Sequence, residues 1–253
     1  MKNRKTNFIM LMLSSVLCFT ACNNAAAQST VKIGNQEWMT NNLNVSTFRN
    51  GDAIPEAQTS EAWEKAREER KPAWCYYDND PANGAKYGKL YNWFAVNDSR
   101  GLAPAGYHIP TDAEWTTLEN YLGNDAGNKM KSTSGWKSYT NGGSKTCLNC
   151  KGWNAEYRKK VPCHTCKDTR SVPAPTKTNP GNGTNSSGFS GLPGGYRYYN
   201  GSFNNIGNIG SWWSSTEYNT NNAWYRYLNY NDGNVDRNYN NKTNGFSVRC
   251  LRD

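Results

Sequence analysis

Histidine is almost missing from this chain. His108 and His164 are the only two, so a hydrolase built on Ser–His or Cys–His has little from which to draw its base. No GxSxG elbow, phosphate-binding P-loop or HExxH pair occurs. His108 precedes a helix start in a short strand, which suits a packed or hydrogen-bonded residue, and His164 reads as solvated. Long apolar runs are also scarce. Phe8 to Phe19 is the longest, and it is too short to span a bilayer in mature form. Acidic residues are outnumbered, 20 against 29 Lys and Arg, for a formal charge of +9. That balance suggests a nucleic-acid binder until the charge is located. Lys145, Lys151, Arg158, Lys159, Lys160, Lys167, Arg170 and Lys177 crowd residues 145–177, against only Glu156 and Asp168. Lys2, Arg4 and Lys5 belong to the leader described next, so the rest of the chain is neutral. A nucleic-acid partner is therefore not expected.

The basic trio, the apolar run and then Phe19-Thr20-Ala21-Cys22 read as a lipoprotein signal over residues 1–21. Cys22 is then the lipidated residue, and its acyl chains suffice for membrane anchoring. Residues 22–30 form a polar tether. Ala25-Ala26-Ala27 offers an ordinary secretion site, in which case Cys22 leaves with the leader. The expected place is the cell envelope, on the outer membrane. Asn23-Asn24 lacks the acidic residues that mark surface export, so the periplasmic side is the default and the surface the alternative.

Local signals give a mixed body. Val31 to Met39, broken by Gly34-Asn35, predicts a hairpin. Ser60 to Arg70 predicts a helix capped by Ser60 and closed by Pro72. Tyr87 to Val96 has an aromatic pattern compatible with a helix. Thr111-Asp112-Ala113-Glu114 is a capping box, and Trp115, Leu118 and Leu122 follow at helical spacing until Gly123. From Phe189 onward Gly, Asn, Tyr and Trp dominate. Turn dipeptides there predict hairpins and long loops, with Phe246 to Cys250 as the last strand.

Cysteine carries the sharpest chemical signal. Cys147-x-x-Cys150, twelve residues, then Cys163-x-x-Cys166 is the spacing of a zinc ribbon. Each tight turn aims two thiolates at one ion, and four thiolates leave no position for a catalytic water. The surrounding segment has few apolar residues, so a structural Zn²⁺ would supply its folding free energy. Two disulfides are the alternative in an oxidising compartment. Cys18 lies in the leader. Cys75 and Cys250 remain, and a disulfide between them is expected, with two buried free thiols as the alternative. Asp78 and Asp80 read as a solvated turn, or at best a weak Ca²⁺ site.

Five segments together resemble a known family. They are Tyr87 to Val96, Pro104 to Trp115, Gly191 to Arg197, Trp212-Trp213-Ser214-Ser215-Thr216-Glu217, and Gly245 to Asp253. In this order they resemble the Fibrobacter succinogenes major paralogous domain, common in envelope lipoproteins of Bacteroidetes. The likeness covers residues 31–253, with 139–182 as a four-cysteine insertion and linker. The family looks related to the C-type-lectin-like and sulfatase-modifying-factor fold. The resemblance thus implies an α+β, C-type-lectin-like mixed domain with a small irregular sheet, two helices and long loops, here carrying a zinc-ribbon-like insertion. It implies no activity. The cysteine pair that sulfatase-modifying relatives use has no counterpart near Cys250, and the Ca²⁺-dependent sugar motifs of C-type lectins are absent.

The expected role is therefore non-catalytic. Aromatic faces stack on sugars and Asn side chains both donate and accept, so Trp212, Trp213, Tyr218 and Trp224 are the candidate contacts for a glycan or an envelope protein. Core packing is the competing role for Trp212 and Trp213, and their opposite facing in a strand lets at most one reach solvent. Two other readings stay open. One is a structural or assembly component that docks through the basic insert, and the other is an unrecognised hydrolase.

Overall fold

The computed structural model describes residues 28–141, 144–146, 171–173 and 177–253. Cys22, the leader and all four zinc-type cysteines lie outside the described residues. Thr30–Ile33 (β1) and Gln36–Met39 (β2) form the expected hairpin, turning at Gly34 with φ of 61°. There follow Ser60–Glu68 (α1), Trp74–Cys75 (β3), Pro81–Tyr87 (α2), Leu90–Tyr91 (β4), Trp93–Val96 (α3), Tyr107–His108 (β5), Asp112–Leu122 (α4) and Ala126–Met130 (α5). Tyr139–Asn141 (β6) pairs antiparallel with Lys177–Asn179 (β9), and Ser144–Thr146 (β7) with Ser171–Pro173 (β8). That ladder brings the backbones of 146 and 171 side by side, so the four-cysteine segment leaves and returns at one point. Gly194–Arg197 (β10), Phe203–Ile206 (β11), Ile209–Glu217 (β12), Asn222–Asn229 (β13), Asp236–Asn241 (β14) and Leu251–Arg252 (β15) complete the chain.

The architecture is α+β. A five-stranded sheet runs β11-β10-β12-β13-β14, and a four-stranded sheet runs β1-β2-β15-β5. The second sheet places the closing strand between the opening hairpin and β5. Among the described residues no helix is long and apolar enough to cross a membrane.

Around Trp212 and Trp213 the five-stranded sheet is covered on both faces, which the alternation of its strands explains. Trp213, Ala223 and Tyr225 face one core with Tyr91, Trp93 and Phe246. Trp212 and Leu228 face the other with Trp38, Trp115, Leu118 and Phe189. Trp212 and Trp213 are both buried, at 1% and 0% exposure. The expected ligand role of these two tryptophans is corrected here, because a sheet sandwiched between two cores exposes neither.

Buried indoles need acceptors, and this fold uses them to fasten loops. Trp63 Nε1 donates to Thr243 O at 3.0 Å, Trp93 Nε1 to Ser214 O at 2.9 Å and Trp213 Nε1 to Tyr91 O at 2.9 Å. Arginine does the same. Arg197 is buried and donates to the carbonyls of Gly201, Ala57 and Thr59, with its guanidinium over Trp63. Arg249 is fully buried and donates to the carbonyls of Met39, Thr40 and Phe189. Its Nε and Nη2 also meet Asn42 Oδ1, at 3.1 and 2.7 Å, and that oxygen accepts from Trp212 Nε1 as well. Several residues that carry the family likeness are thus internal fasteners.

Other expectations shift by a few residues. The cap of α1 is Thr59, whose side chain accepts from Ala62 N, and not Ser60. Tyr87 to Val96 is not one helix. Asn92 interrupts it by accepting from the amides of Ala73 and Ala95 and donating to Lys71 O, which fixes a strand before it and a short helix after it. The capping box stands as read: Thr111 Oγ1 accepts from Glu114 N, and Glu114 Oε2 accepts from Thr111 N. The last strand falls on Leu251–Arg252, while Phe246 and Ser247 make only isolated bridges to Tyr91 and Trp212. Among the described residues three shorter α-helices and a 3-10 turn at Tyr77–Asn79 stand besides α1 and α4, where two helices were expected.

Candidate functional site

The expected Cys75–Cys250 disulfide is corrected: both are free thiols. They belong to separate cores, Cys75 beside Trp63 and Tyr77, Cys250 beside Met39 and Val248. Burial pushes each thiol up to about 12, with Arg197 opposing at Cys75 and Arg249 at Cys250. Neither is a thiolate near neutral pH.

His108 is no free base. Its Nδ1 lies 2.8 Å from Asp253 Oδ1 and its Nε2 lies 3.0 Å from Glu114 Oε1. Burial disfavours the charged ring, but the two carboxylates outweigh it and raise its pKa. A raised folded-state pKa stabilises the fold below the ordinary histidine value, and that gain disappears as pH rises through the raised value. His108→Gln should therefore lower Tm by ~1–2 °C near pH 6, with less effect near pH 9. Thermal scans at both pH values check this, and an equal loss at both would contradict it. Asp80 is a helix cap, accepting from Ala82 N at 2.9 Å, and Asp78 sits at a left-handed φ of 53°. Among the described residues no group of three or more His, Cys, Asp or Glu is arranged to hold a metal.

Two of the four expected aromatic contacts do gather at the surface. Strand β12 shifts register between Trp213 and Glu217, and Tyr218 follows at the start of the turn into β13. Trp224 of β13 pairs with Tyr239 of β14. The three rings meet. Tyr218 stacks on Tyr239 with centroids 3.9 Å apart and planes at 11°. Trp224 stands on edge to both, at 4.9 Å from Tyr218 and 5.8 Å from Tyr239. Tyr218 and Tyr239 are 43% and 44% exposed. Few other large apolar side chains in the described residues are so open.

A cation fixes the floor of this platform. The Arg237 guanidinium carbon lies 3.4 Å from the centre of the Trp224 ring. Arg237 is aimed by Asp112, which accepts from its Nε at 3.0 Å and its Nη2 at 2.8 Å. The same carboxylate accepts from buried Arg226 Nη1 at 2.6 Å. Burial opposes the charge on Asp112, but Arg237 and Arg226 outweigh it and hold its pKa below the usual carboxylate range. The capping-box residue Asp112 thus links helix α4 to the platform.

Tyr239, Arg237 and the hold of Asp112 on Arg237 escaped the sequence reading. Tyr239 lies in Asn238-Tyr239-Asn240-Asn241, which reads as loop. Its partner becomes legible only through the β13–β14 register, where Trp224 and Tyr239 fall opposite each other. The asparagines also differ from expectation. Asn219 Oδ1 accepts from the amides of Asn221 and Asn222, Asn238 Oδ1 from Tyr239 N and Asn240 Oδ1 from Asn241 N. They serve the turns and the open edge of β14, which also blunts that edge against pairing with another strand.

The structure therefore defines an α+β domain with a two-sided aromatic core, clamped by buried arginines, that presents one exposed ring platform at a sheet edge. The chain belongs to the Fibrobacter succinogenes major domain family, whose profile matches residues 31–252. No curated protein and no solved structure matches the chain.

Proposed function

We propose that this chain is a non-catalytic binding module of the cell envelope that takes a carbohydrate on the Tyr218–Trp224–Tyr239 platform. The observation that carries the reading is the ring trio itself, two open tyrosines with half-buried Trp224 beside them, where the other described tryptophans are buried. The outer faces of the stacked tyrosines and the edge of cation-backed Trp224 suit the CH faces of sugars, and each ring offers large area with few torsions to freeze. The carboxylate-flanked His108 and the two high-pKa thiols give the non-catalytic reading its support. A C-type-lectin-like relation rests on the sequence likeness of the Ile109 to Trp115 segment. A glycan array and a pull-down from envelope extract test the proposal together. Sugar retention is expected, retention of protein alone would favour a protein ligand, and two blank results would overturn the reading.

Export and lipidation at Cys22 place the module on the outer membrane in this reading, with the periplasmic face as default. A structural Zn²⁺ held by Cys147, Cys150, Cys163 and Cys166 supplies order to a segment too poor in apolar residues to pack alone. About one equivalent of zinc per mature chain is expected, lost in Cys147→Ser or Cys163→Ser. Elemental analysis with thiol counting checks this, and four sulfurs in disulfides without metal would contradict it. The +6 charge of residues 145–177 on an otherwise neutral mature chain supports a second role, docking to an acidic envelope surface.

A further inference from the structure

At the end of the sheet that carries the platform lies a cleft of about 200 Å³ between α1, α3 and the β12–β13 turn. Its lining includes Arg67, Arg70, Lys242, Phe94, Thr220 and Asn241, and no carboxylate. Lys242 is buried and its Nζ donates to Glu217 Oε1 at 2.6 Å and to Thr220 O at 2.9 Å. Arg70 donates to the same Thr220 carbonyl at 2.9 Å and lies over the Phe94 ring at 5.4 Å. Among the described residues the only acid within ion-pair reach of Arg67 is Glu68, at 3.5 Å on the exposed surface. Three cations thus meet in the cleft, and the two acids that touch them are half or more exposed, Glu217 at 51% and Glu68 at 70%.

Two short stretches of chain lead from the rings to the cleft. Thr220 and Asn221 form the turn that starts from Tyr218. Asn241 lies two residues beyond Tyr239 on β14, about 7 Å along the strand, and its side chain accepts from Thr243, so the cleft is reached from the rings around the end of the sheet. A volume of about 200 Å³ is below the ~300–1,000 Å³ of a drug-sized pocket, so it accommodates one substituted ring and not a whole chain. We infer that this cleft is an anion subsite around the sheet end from the ring platform, and that the ligand class is an acidic glycan that wraps this end and sets its carboxylate or sulfate against Arg67 and Arg70. The inference rests on the carbohydrate reading of the platform.

Two matched pairs of probes test it by calorimetry. Tetragalacturonate is compared with its neutral methyl ester, and a chondroitin sulfate tetrasaccharide with its desulfated form. In at least one pair the more acidic member should bind about tenfold more tightly. The pair that shows the preference identifies the group as carboxylate or sulfate. The preference should vanish in Arg67→Gln/Arg70→Gln while the affinity for the neutral ester stays unchanged and the protein stays folded. It should also shrink in the wild-type protein between about 50 and about 500 mM salt, a readout that does not depend on the variant folding. Equal binding of the two members within both pairs would overturn the subsite and leave the platform standing. A preference that survives in the double variant would put the anion contact elsewhere, with the basic 145–177 segment the first place to look, and would also overturn it. Absence of binding by all four probes would overturn the inference outright. Blank results from the glycan array and the pull-down would be needed as well to remove the platform reading.

Discussion

Arg249→Met is expected to destabilise the domain by about 4 kcal/mol or more, lowering Tm by roughly 10 °C. Arg249 is fully buried and faces oxygens of four residues from two distant segments, the carbonyls of Met39, Thr40 and Phe189 and the side chain of Asn42. Methionine fills the volume but donates nothing. Each buried acceptor left unpaired costs about 1–3 kcal/mol, although Asn42 Oδ1 keeps its bond from Trp212. The domain as a whole has about 5–15 kcal/mol to lose. Thermal or urea unfolding reads the effect, and a loss below about 1 kcal/mol would show that water replaces the guanidinium.

Arg226→Met comes next, at about 3–5 kcal/mol. Arg226 is 1% exposed and ties Asp112, Glu119 and Thr116 of α4 to strand β13. The single change leaves Glu119, itself only 23% exposed, without its cation. Asp112 suffers less, because Arg237 still holds it. The cost therefore comes from an orphaned charge and not from the value of the pair. It follows that Glu119→Met/Arg226→Met should be more stable than Arg226→Met alone, since two packed apolar chains replace the pair and its burial cost together. A double variant less stable than the single one would contradict this account.

What the sequence showed, it showed locally. The Gly34-Asn35 hairpin and the Thr111/Glu114 box depend on neighbours within a few residues, and both stand as expected. The burial of Trp212 and Trp213 was half legible. Alternation told that they part to opposite faces, but only the tertiary structure shows that both faces are covered. The roles of Arg197, Arg226 and Arg249 were hidden, because their partners lie far away in sequence. The platform was half legible for the same reason. Tyr218 and Trp224 stood in a visibly aromatic stretch, while Tyr239 needed the strand register and Arg237 needed Asp112 of α4. The asparagines misled, since a side chain that suits hydroxyls also suits the amides of its own turn.

The division between internal fasteners and an exposed binding surface has a direct test in Tyr218→Ala/Tyr239→Ala. Thermal unfolding and glycan retention should be measured on one preparation of this variant. Its Tm should stay within ~2–4 °C of the wild type, because both side chains are nearly half exposed, while retention of every glycan held by the wild type is lost. Unchanged retention with an unchanged Tm would contradict the account, because the rings would then be neither a support for the fold nor the surface that meets the sugar.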